Sequence, residues 1–155
     1  MWREAIPDLH QAYEGRCAYL AMFIEPATGS STVDHFVPKS VDWRQVYEWD
    51  NYRLCAAVIN GTRGARPVLD PFTVKDGWFA LEFVSFQVIV GPQAPLRLRK
   101  AIEATIRDSG INARECCALR QQYVTDFENG DITRRFLQRR APFVEAEMVR
   151  AGRIR

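Results

Sequence analysis

Three short blocks in the first half of the chain decide how this sequence is interpreted. They read Ser31-Thr-Val-Asp-His-Phe-Val-Pro-Lys-Ser40, Trp49-Asp-Asn-Tyr-Arg-Leu-Cys55 and Asn60-Gly-Thr-Arg-Gly64. The first block places an acid beside a histidine, and the third opens with an asparagine before a glycine. Side chains of these types can hold cations and move protons, so the local structure around them matters most.

The flanks of these blocks predict a hairpin. Residues 17–24 are almost wholly apolar, and residues 32–36 are rich in β-branched and aromatic types. A link rich in turn-forming residues separates the two segments. We therefore expect two paired strands joined by a wide loop.

A helix is expected after this hairpin. Ser40 or Asp42 can cap a short helical piece over residues 43–47. Asp50 can cap a longer helix over residues 51–60, which the following glycines would end. The first half of the chain thus predicts the order strand, strand, helix.

The remaining segments predict one further hairpin and several helices. A short helix is expected over residues 2–14, and the alternation over residues 78–90 predicts a hairpin or a long strand. Helical spacing then returns in three stretches: from Leu98 to Gly110, from Asn112 as a capping residue to Gly130, and over 132–151. Pro142 interrupts the last stretch, where it would kink the helix or start a new one at its first position.

Length and composition indicate one globular domain. The chain has 155 residues, of which 47% are hydrophobic. We expect an α+β fold in a single domain 1–155, with a core at about 17–64 and a hairpin and helical extension at about 65–155. No apolar run reaches the roughly 18 residues of a membrane span. The sequence also lacks the apolar core of a secretory signal, and its four cysteines form no paired pattern, so a cytoplasmic protein with free thiols is expected.

Positive charge is concentrated near the C-terminus. Residues 131–155 hold seven arginines and three acidic residues, a surplus of four positive charges. Such a segment could contact phosphates, and a solvated helix face is an equal alternative. The candidate nucleic-acid-binding residues are Lys39, Arg63, Arg134, Arg135, Arg139 and Arg140.

The chemistry that suits the three blocks is phosphodiester hydrolysis. The neutral imidazole of His35 can take a proton from water near neutral pH. The carboxylate of Asp34 and the amide oxygen of Asn60 are ligands that suit Mg²⁺. Adjacent residues on a strand point to opposite faces, so Asp34 and His35 can have separate tasks.

The same blocks resemble the signature of the HNH endonucleases. Residues 33–40 (VDHFVPKS) resemble the family's V-D-H-x-x-P-x-S pattern, and residues 49–54 are similar to its central W-x-N segment. Residues 60–64 resemble its closing N-x-x-K-G, with Arg63 in place of lysine. The match covers roughly residues 17–64, and the order and spacing of three blocks are more specific than any one block.

The resemblance implies a ββα-metal fold with a one-metal site. Asp34 and Asn60 would bind the cation, Mg²⁺ or Mn²⁺, and His35 would be the general base. Asn51 would orient the histidine-bearing loop by hydrogen bonding, and Arg63 would contact phosphate. DNA is the expected substrate, with products that carry 5′-phosphate ends.

Many members of the family hold a structural zinc with two cysteine pairs, and this chain departs from that pattern. The aligned positions here are Cys17, Leu20, Ala56 and Ile59, and a zinc site needs about four ligands. Cys55 lies one place out of register. We therefore expect no structural zinc, with Leu20 and Ile59 forming an apolar contact in its place.

Parts of the second half resemble extensions of bacterial HNH proteins that are encoded beside ATPases in phage-defence systems. The segments are 68–72 (VLDPF), 76–79 (DGWF) and 139–144 (RRAPFV). An ATPase or another DNA-binding subunit is therefore an expected partner, by analogy.

Several of the candidate functional residues also have a purely structural interpretation. Asp34 could merely cap or pair, Asn60 could end a helix in left-handed geometry, and Asn51 is expected to tie a loop. His10 is expected at the surface. The aromatic residues Trp43, Tyr47, Trp49 and Tyr52 could stack on bases, although packing is favoured. At the level of function, the alternatives are an RNA or tRNA nuclease effector and a catalytically silent scaffold of HNH fold.

Overall fold

The protein has an α+β architecture, described by a computed structural model over residues 2–154, with side chains from residue 4 onward. Residues 1 and 155, which belong to the expected single domain, lie outside this range. Two small antiparallel sheets are followed by a helical C-terminal region. The strands are β1 Ser31–His35, β2 Tyr52–Ala56, β3 Phe79–Leu81 and β4 Val88–Val90. The helices are α1 Ile6–Ala12, α2 Ala57–Arg63, α3 Arg99–Ser109, α4 Arg114–Glu128, α5 Arg134–Arg140 and α6 Pro142–Arg150.

The first sheet pairs β1 with β2, and α2 follows β2 directly. Asp34 lies opposite Arg53 and His35 opposite Tyr52 in the register. The expected partner of β1, residues 17–24, is not a strand, so the predicted hairpin was wrong. The predicted helix over 51–60 was also wrong in its first half, because pairing with β1 holds that segment extended and overrides the local capping and stop signals.

Residues 17–22 form a tight loop against β2. The amide of Cys17 donates to the carbonyl of Met22, and the amide of Ala18 donates to Leu54 at 2.8 Å. Ala21 has a positive φ of 49°, a conformation that closes the loop and interrupts an extended strand. The apolar composition of this segment therefore reflects burial rather than strand pairing.

The segment between β1 and β2 contains two short 3-10 turns, Trp43–Tyr47 and Trp49–Asn51. Asp42 caps the first by accepting from the amide of Arg44, as predicted. Asp50 caps no helix, because it lies within the second turn.

The second half largely follows the predicted helices. The hairpin over 78–90 is confirmed as β3 and β4, and α3 ends at Gly110, whose φ of 81° is left-handed. Of the two alternatives for Pro142, the structure has the second, since Pro142 begins α6. Asn112 was wrongly predicted as a capping residue: its side chain bonds the backbone of Val88 instead, at 2.8 and 2.9 Å.

One apolar cluster includes residues from both halves of the chain. Leu54 and Ile59 from the first half belong to the same cluster as Val124, Leu137 and Met148 from the helical region. The β1–β2–α2 unit therefore rests on the same core as the C-terminal helices. Within residues 2–154, no helix is long and apolar enough to cross a membrane.

Candidate active site

Helix α2 folds back over β1, and this packing brings the sequence blocks together. Asn60 and Arg63 are three residues apart on α2, a spacing that places both side chains on one face. Asn60 reaches the backbone of Val33, and Arg63 reaches the carboxylate of Asp34. The acid of the first block thus lies at the same junction as the asparagine and the arginine of the third, where the backbone carbonyl of His35 lies 3.3 Å from Nη1 of Arg63.

Asp34 is buried and ion-paired. Its side chain is 3% exposed and that of Arg63 is 1% exposed. Nη1 of Arg63 contacts both carboxylate oxygens, at 2.5 Å to Oδ1. A buried carboxylate needs such a partner, because an unpaired charge away from water is strongly unfavourable.

Tyr19 completes the surroundings of this carboxylate and was not foreseen from the sequence. Its hydroxyl donates to Oδ2 of Asp34 at 2.5 Å. Burial, together with the nearby carboxylate, raises the pKa of Tyr19 far above its ordinary value, so the phenol remains a donor at neutral pH. The only sequence signal was its position two residues after Cys17, in the loop that faces β2.

His35 is half-buried, and its ring is oriented by two contacts. Nε2 lies 3.1 Å from the carbonyl oxygen of Val46, and the ring packs edge-on against Tyr52 with 5.3 Å between centroids. The hydroxyl of Tyr52 donates to the same carbonyl at 2.9 Å. Because a carbonyl oxygen only accepts, Nε2 carries the hydrogen. The neutral ring therefore has its lone pair on Nδ1, the nitrogen that can act as a base.

Asn60 lies inside α2 rather than at its end. The helix continues to Arg63, and the glycine at its C-terminus is Gly64, so the left-handed alternative for Asn60 was wrong. Its Nδ2 donates to Oγ1 of Thr32 at 3.1 Å and to the carbonyl of Val33 at 3.3 Å. Both contacts use the amide nitrogen, which leaves the oxygen as the atom that could serve a cation.

Asn51 ties the segment after β1 to the segment before β2. Its Oδ1 accepts from the amide of Val37 at 2.7 Å, and its Nδ2 donates to the carbonyls of Val37 and Gln45 at 3.1 and 3.0 Å. These bonds fix the loop whose Val46 carbonyl contacts His35. The contacts are those expected of a loop-tying residue.

The candidate basic residues lie in several different environments. Lys39 is exposed on the loop after β1, whereas Arg63 is buried and also donates to the carbonyl of Phe36 at 2.7 Å. Contact between Arg63 and a phosphate would require its guanidinium to leave these acceptors. The predicted phosphate contact of Arg63 thus has no exposed donor in this conformation.

Two of the four arginines of α5 form ion pairs with glutamates. Arg134 pairs with Glu145 at 2.7 Å, and Arg140 pairs with Glu25 while its guanidinium lies 3.9 Å from the ring centre of Phe23. Arg135 and Arg139 have exposed side chains. Helix α5 packs against α4, α6 and the segment at Phe23.

The positions that hold zinc in the family lie in or beside the apolar core here. Cys17 is 1%, Leu20 7% and Ile59 0% exposed, and all three belong to one cluster. Sγ of Cys17 accepts from the amide of Ala56 at 3.4 Å. Burial raises the pKa of Cys17, but hydrogen bonds from Cys55 and nearby backbone amides outweigh it and lower the pKa to about 7.

Aromatic side chains of the β1–β2 segment lie at the surface. Trp43 and Tyr47 are 70% and 73% exposed, and Trp49 is 47% exposed. Their expected packing role was therefore wrong for Trp43 and Tyr47, whereas Tyr52 is buried against His35. Exposed aromatic rings of this kind present flat faces on which a nucleic-acid base can stack.

The oxygen ligands of Asp34 and Asn60 are of the type that a hard divalent cation prefers. In the present conformation, however, Arg63 occupies the carboxylate of Asp34. Asp34 and Asn60 supply carboxylate and amide oxygens, the ligands that Mg²⁺ prefers. No group of three or more His, Cys, Asp or Glu within residues 2–154 forms a metal cluster. A cation at Asp34 would depend on these two residues, water and a bound phosphate, and it would have to compete with Arg63.

Comparison of this chain with protein-family models, with curated proteins and with solved structures found no match.

Proposed function

We propose that this protein is a metal-dependent nuclease of the HNH type that hydrolyses phosphodiester bonds of DNA. The observation that carries the proposal is the convergence at the β1–α2 junction. Asn60 and Arg63 of the third block reach Val33 and Asp34 of the first, and the second block pairs with the first through β1 and β2. The resemblance implies a cation at Asp34 and Asn60 in such a junction, and packing alone does not require these residue types.

In the proposed reaction, His35 removes a proton from water through Nδ1. The resulting hydroxide attacks phosphorus, the bond to the 3′-oxygen breaks, and the product keeps a 5′-phosphate. General-base catalysis of this kind contributes about 10²- to 10⁴-fold in rate. A divalent cation held by Asp34 and Asn60 would supply charge stabilisation to the phosphate and the departing oxygen.

The exposed rings of Trp43 and Tyr47 support a nucleic-acid substrate. They lie on the 3-10 turn that includes Val46, the residue whose carbonyl holds His35. Stacking on aromatic rings is independent of sequence, because every base presents a flat face. A nucleic acid with unstacked bases would therefore contact these rings close to His35, the candidate general base.

A second candidate function is a catalytically silent subunit of the same fold. The observation in its favour is that Arg63 already neutralises Asp34, as a structural ion pair would. In that case the protein would act through a partner, such as an ATPase in a bacterial defence or DNA-processing system. The protein would then bind nucleic acid without cutting it.

The test is a cleavage assay on supercoiled plasmid, single-stranded DNA and tRNA. Each substrate is incubated with the purified protein in Mg²⁺, Mn²⁺ or EDTA, and His35→Ala purified in parallel controls for contaminating nucleases. We expect metal-dependent cleavage of DNA by the wild type only. Preferential cleavage of tRNA would identify the RNA nuclease alternative, and binding without cleavage under every condition would overturn the nuclease in favour of the silent subunit.

A further inference from the structure

The carboxylate of Asp34 is already occupied by groups of this chain. Nη1 of Arg63 contacts both oxygens, and the hydroxyl of Tyr19 donates to Oδ2 at 2.5 Å. Both members of the ion pair are almost completely shielded from solvent, at 1% and 3% exposure. Among the described residues, no group of three or more His, Cys, Asp or Glu offers a cation an alternative site.

The remaining contacts of Arg63 show what holds the guanidinium in place. Nη2 donates to the carbonyl of Phe36 at 2.7 Å, and Nη1 also lies 3.3 Å from the carbonyl of His35. Nε is buried and has no hydrogen-bond partner. A guanidinium with one unsatisfied buried donor is positioned by its ion pair rather than by a complete set of hydrogen bonds.

The chain that follows Arg63 is open to solvent. Arg63 is the last residue of α2, and residues 64–67 are exposed. Gly64 has a φ of 52°, and the space that a side chain would fill at this position holds no other atom within 4 Å. The backbone that carries Arg63 is therefore exposed on its C-terminal side, where local movement costs less than in a buried segment.

We propose that Arg63 is the resident cation of Asp34, and that a divalent ion binds the carboxylate only when this guanidinium moves away. The inference rests on the proposed function, since it concerns the cation site of the same centre. Two cations compete for one carboxylate, so Arg63 sets the apparent metal affinity of the protein. Arg63 is thus a positioning residue that keeps the site closed in the absence of metal and substrate.

The test measures metal binding rather than cleavage. Mn²⁺ is titrated calorimetrically into the wild type, into Arg63→Gln, which removes the charge, and into Arg63→Lys, which keeps it. We expect Arg63→Gln to bind Mn²⁺ at least about tenfold more tightly than the other two, because no internal cation competes. Adding Asp34→Asn to Arg63→Gln should abolish that gain, which assigns the binding to this carboxylate.

Equal or weaker Mn²⁺ binding by folded Arg63→Gln would overturn the inference. If this variant does not fold, the wild type supplies the test: the Nε–H signal of Arg63 in NMR spectra should shift on Mg²⁺ saturation, and an unchanged signal would contradict displacement. The proposed function fails separately, when the wild type cleaves no nucleic acid. A gain of Mn²⁺ binding by Arg63→Gln alongside an inactive wild type would leave the inference standing.

Discussion

The regions around His10 and His35 hold a histidine in nearly the same way. Nε2 of His10 lies 3.0 Å from the carbonyl of Ile24, and Nε2 of His35 lies 3.1 Å from that of Val46. Each ring also packs edge-on against an aromatic ring, at centroid distances of 5.6 and 5.3 Å. His10, expected at the surface, is in fact half-buried.

The two regions differ in the ion pair that accompanies each histidine. Near His10, the pair between Arg140 and Glu25 has side-chain exposures of 21% and 53%. Beside His35, the pair between Arg63 and Asp34 is buried, at 1% and 3%. A histidine fixed by a carbonyl and an aromatic ring is thus a common structural feature. The buried carboxylate next to it is what distinguishes a candidate site.

The largest expected effect on stability comes from removing the arginine of the buried pair, with the arginine of the exposed pair as the comparison. Arg63→Met leaves a buried, uncompensated carboxylate and should lower the free energy of unfolding by about 3–5 kcal/mol. Arg140→Met breaks a surface pair and should lower it by about 1 kcal/mol or less. Urea unfolding of both variants measures the difference, and equal losses would remove the contrast between the two regions.

A smaller effect is expected from the asparagines that tie loops in each half. Asn51→Ala leaves the backbone of Val37 and the carbonyl of Gln45 without partners and should destabilise the protein by about 1–3 kcal/mol. Asn112→Ala is the matched control, because its side chain bonds the backbone of Val88 in the same manner. Similar losses of stability are expected for both, but only Asn51→Ala should slow nucleic-acid cleavage. Equal cleavage rates would show that the loop of Val46 does not position His35.

The smallest effect on stability is expected at the exposed aromatic residues. Trp43→Ala and Tyr47→Ala should change the free energy of unfolding by no more than about 0.5 kcal/mol. Each should weaken binding of a single-stranded oligonucleotide by about 1–3 kcal/mol if a base stacks on the ring. Leu96→Ala, at a residue 86% exposed in the helical half, is the control. Unchanged oligonucleotide affinity in fluorescence anisotropy would exclude these rings as a stacking surface.

Several features of the fold could be predicted from local sequence rules. Gly110 ended a helix as expected, Pro142 began one, and the alternation over 78–90 gave a hairpin. These outcomes depend on backbone geometry that one or two residues impose. The helical half of the chain was accordingly the better predicted half.

The pairing of β1 could not be predicted in the same way. Residues 17–24 are apolar enough for a strand, yet they form a loop because the left-handed Ala21 closes it against β2. Residues 52–56 follow a potential helix cap at Asp50, yet they pair with β1. Both errors arise where tertiary contacts override a local preference.

The candidate site was also predictable in its local features but not in its tertiary contacts. The three blocks predicted that the residues of the third block meet those of the first, and Asn60 and Arg63 do reach β1. The occupation of Asp34 by Arg63 and Tyr19 depends on distances across the fold, so neither partner was evident from the chain. Whether that pair opens decides between a nuclease and a silent subunit.

The most direct test of the proposed nuclease activity compares substitutions of the two histidines, His35 and His10. Plasmid nicking rates in saturating Mn²⁺ are measured for His35→Ala and His10→Ala, after circular dichroism shows both to be folded. Because both variants lose a carbonyl hydrogen bond and an edge-on ring contact, structural damage should be similar. We expect His35→Ala to lose about 100-fold or more in rate, as for loss of a general base, while His10→Ala keeps the wild-type rate. Equal rates in the two variants would contradict the role of His35 as the general base.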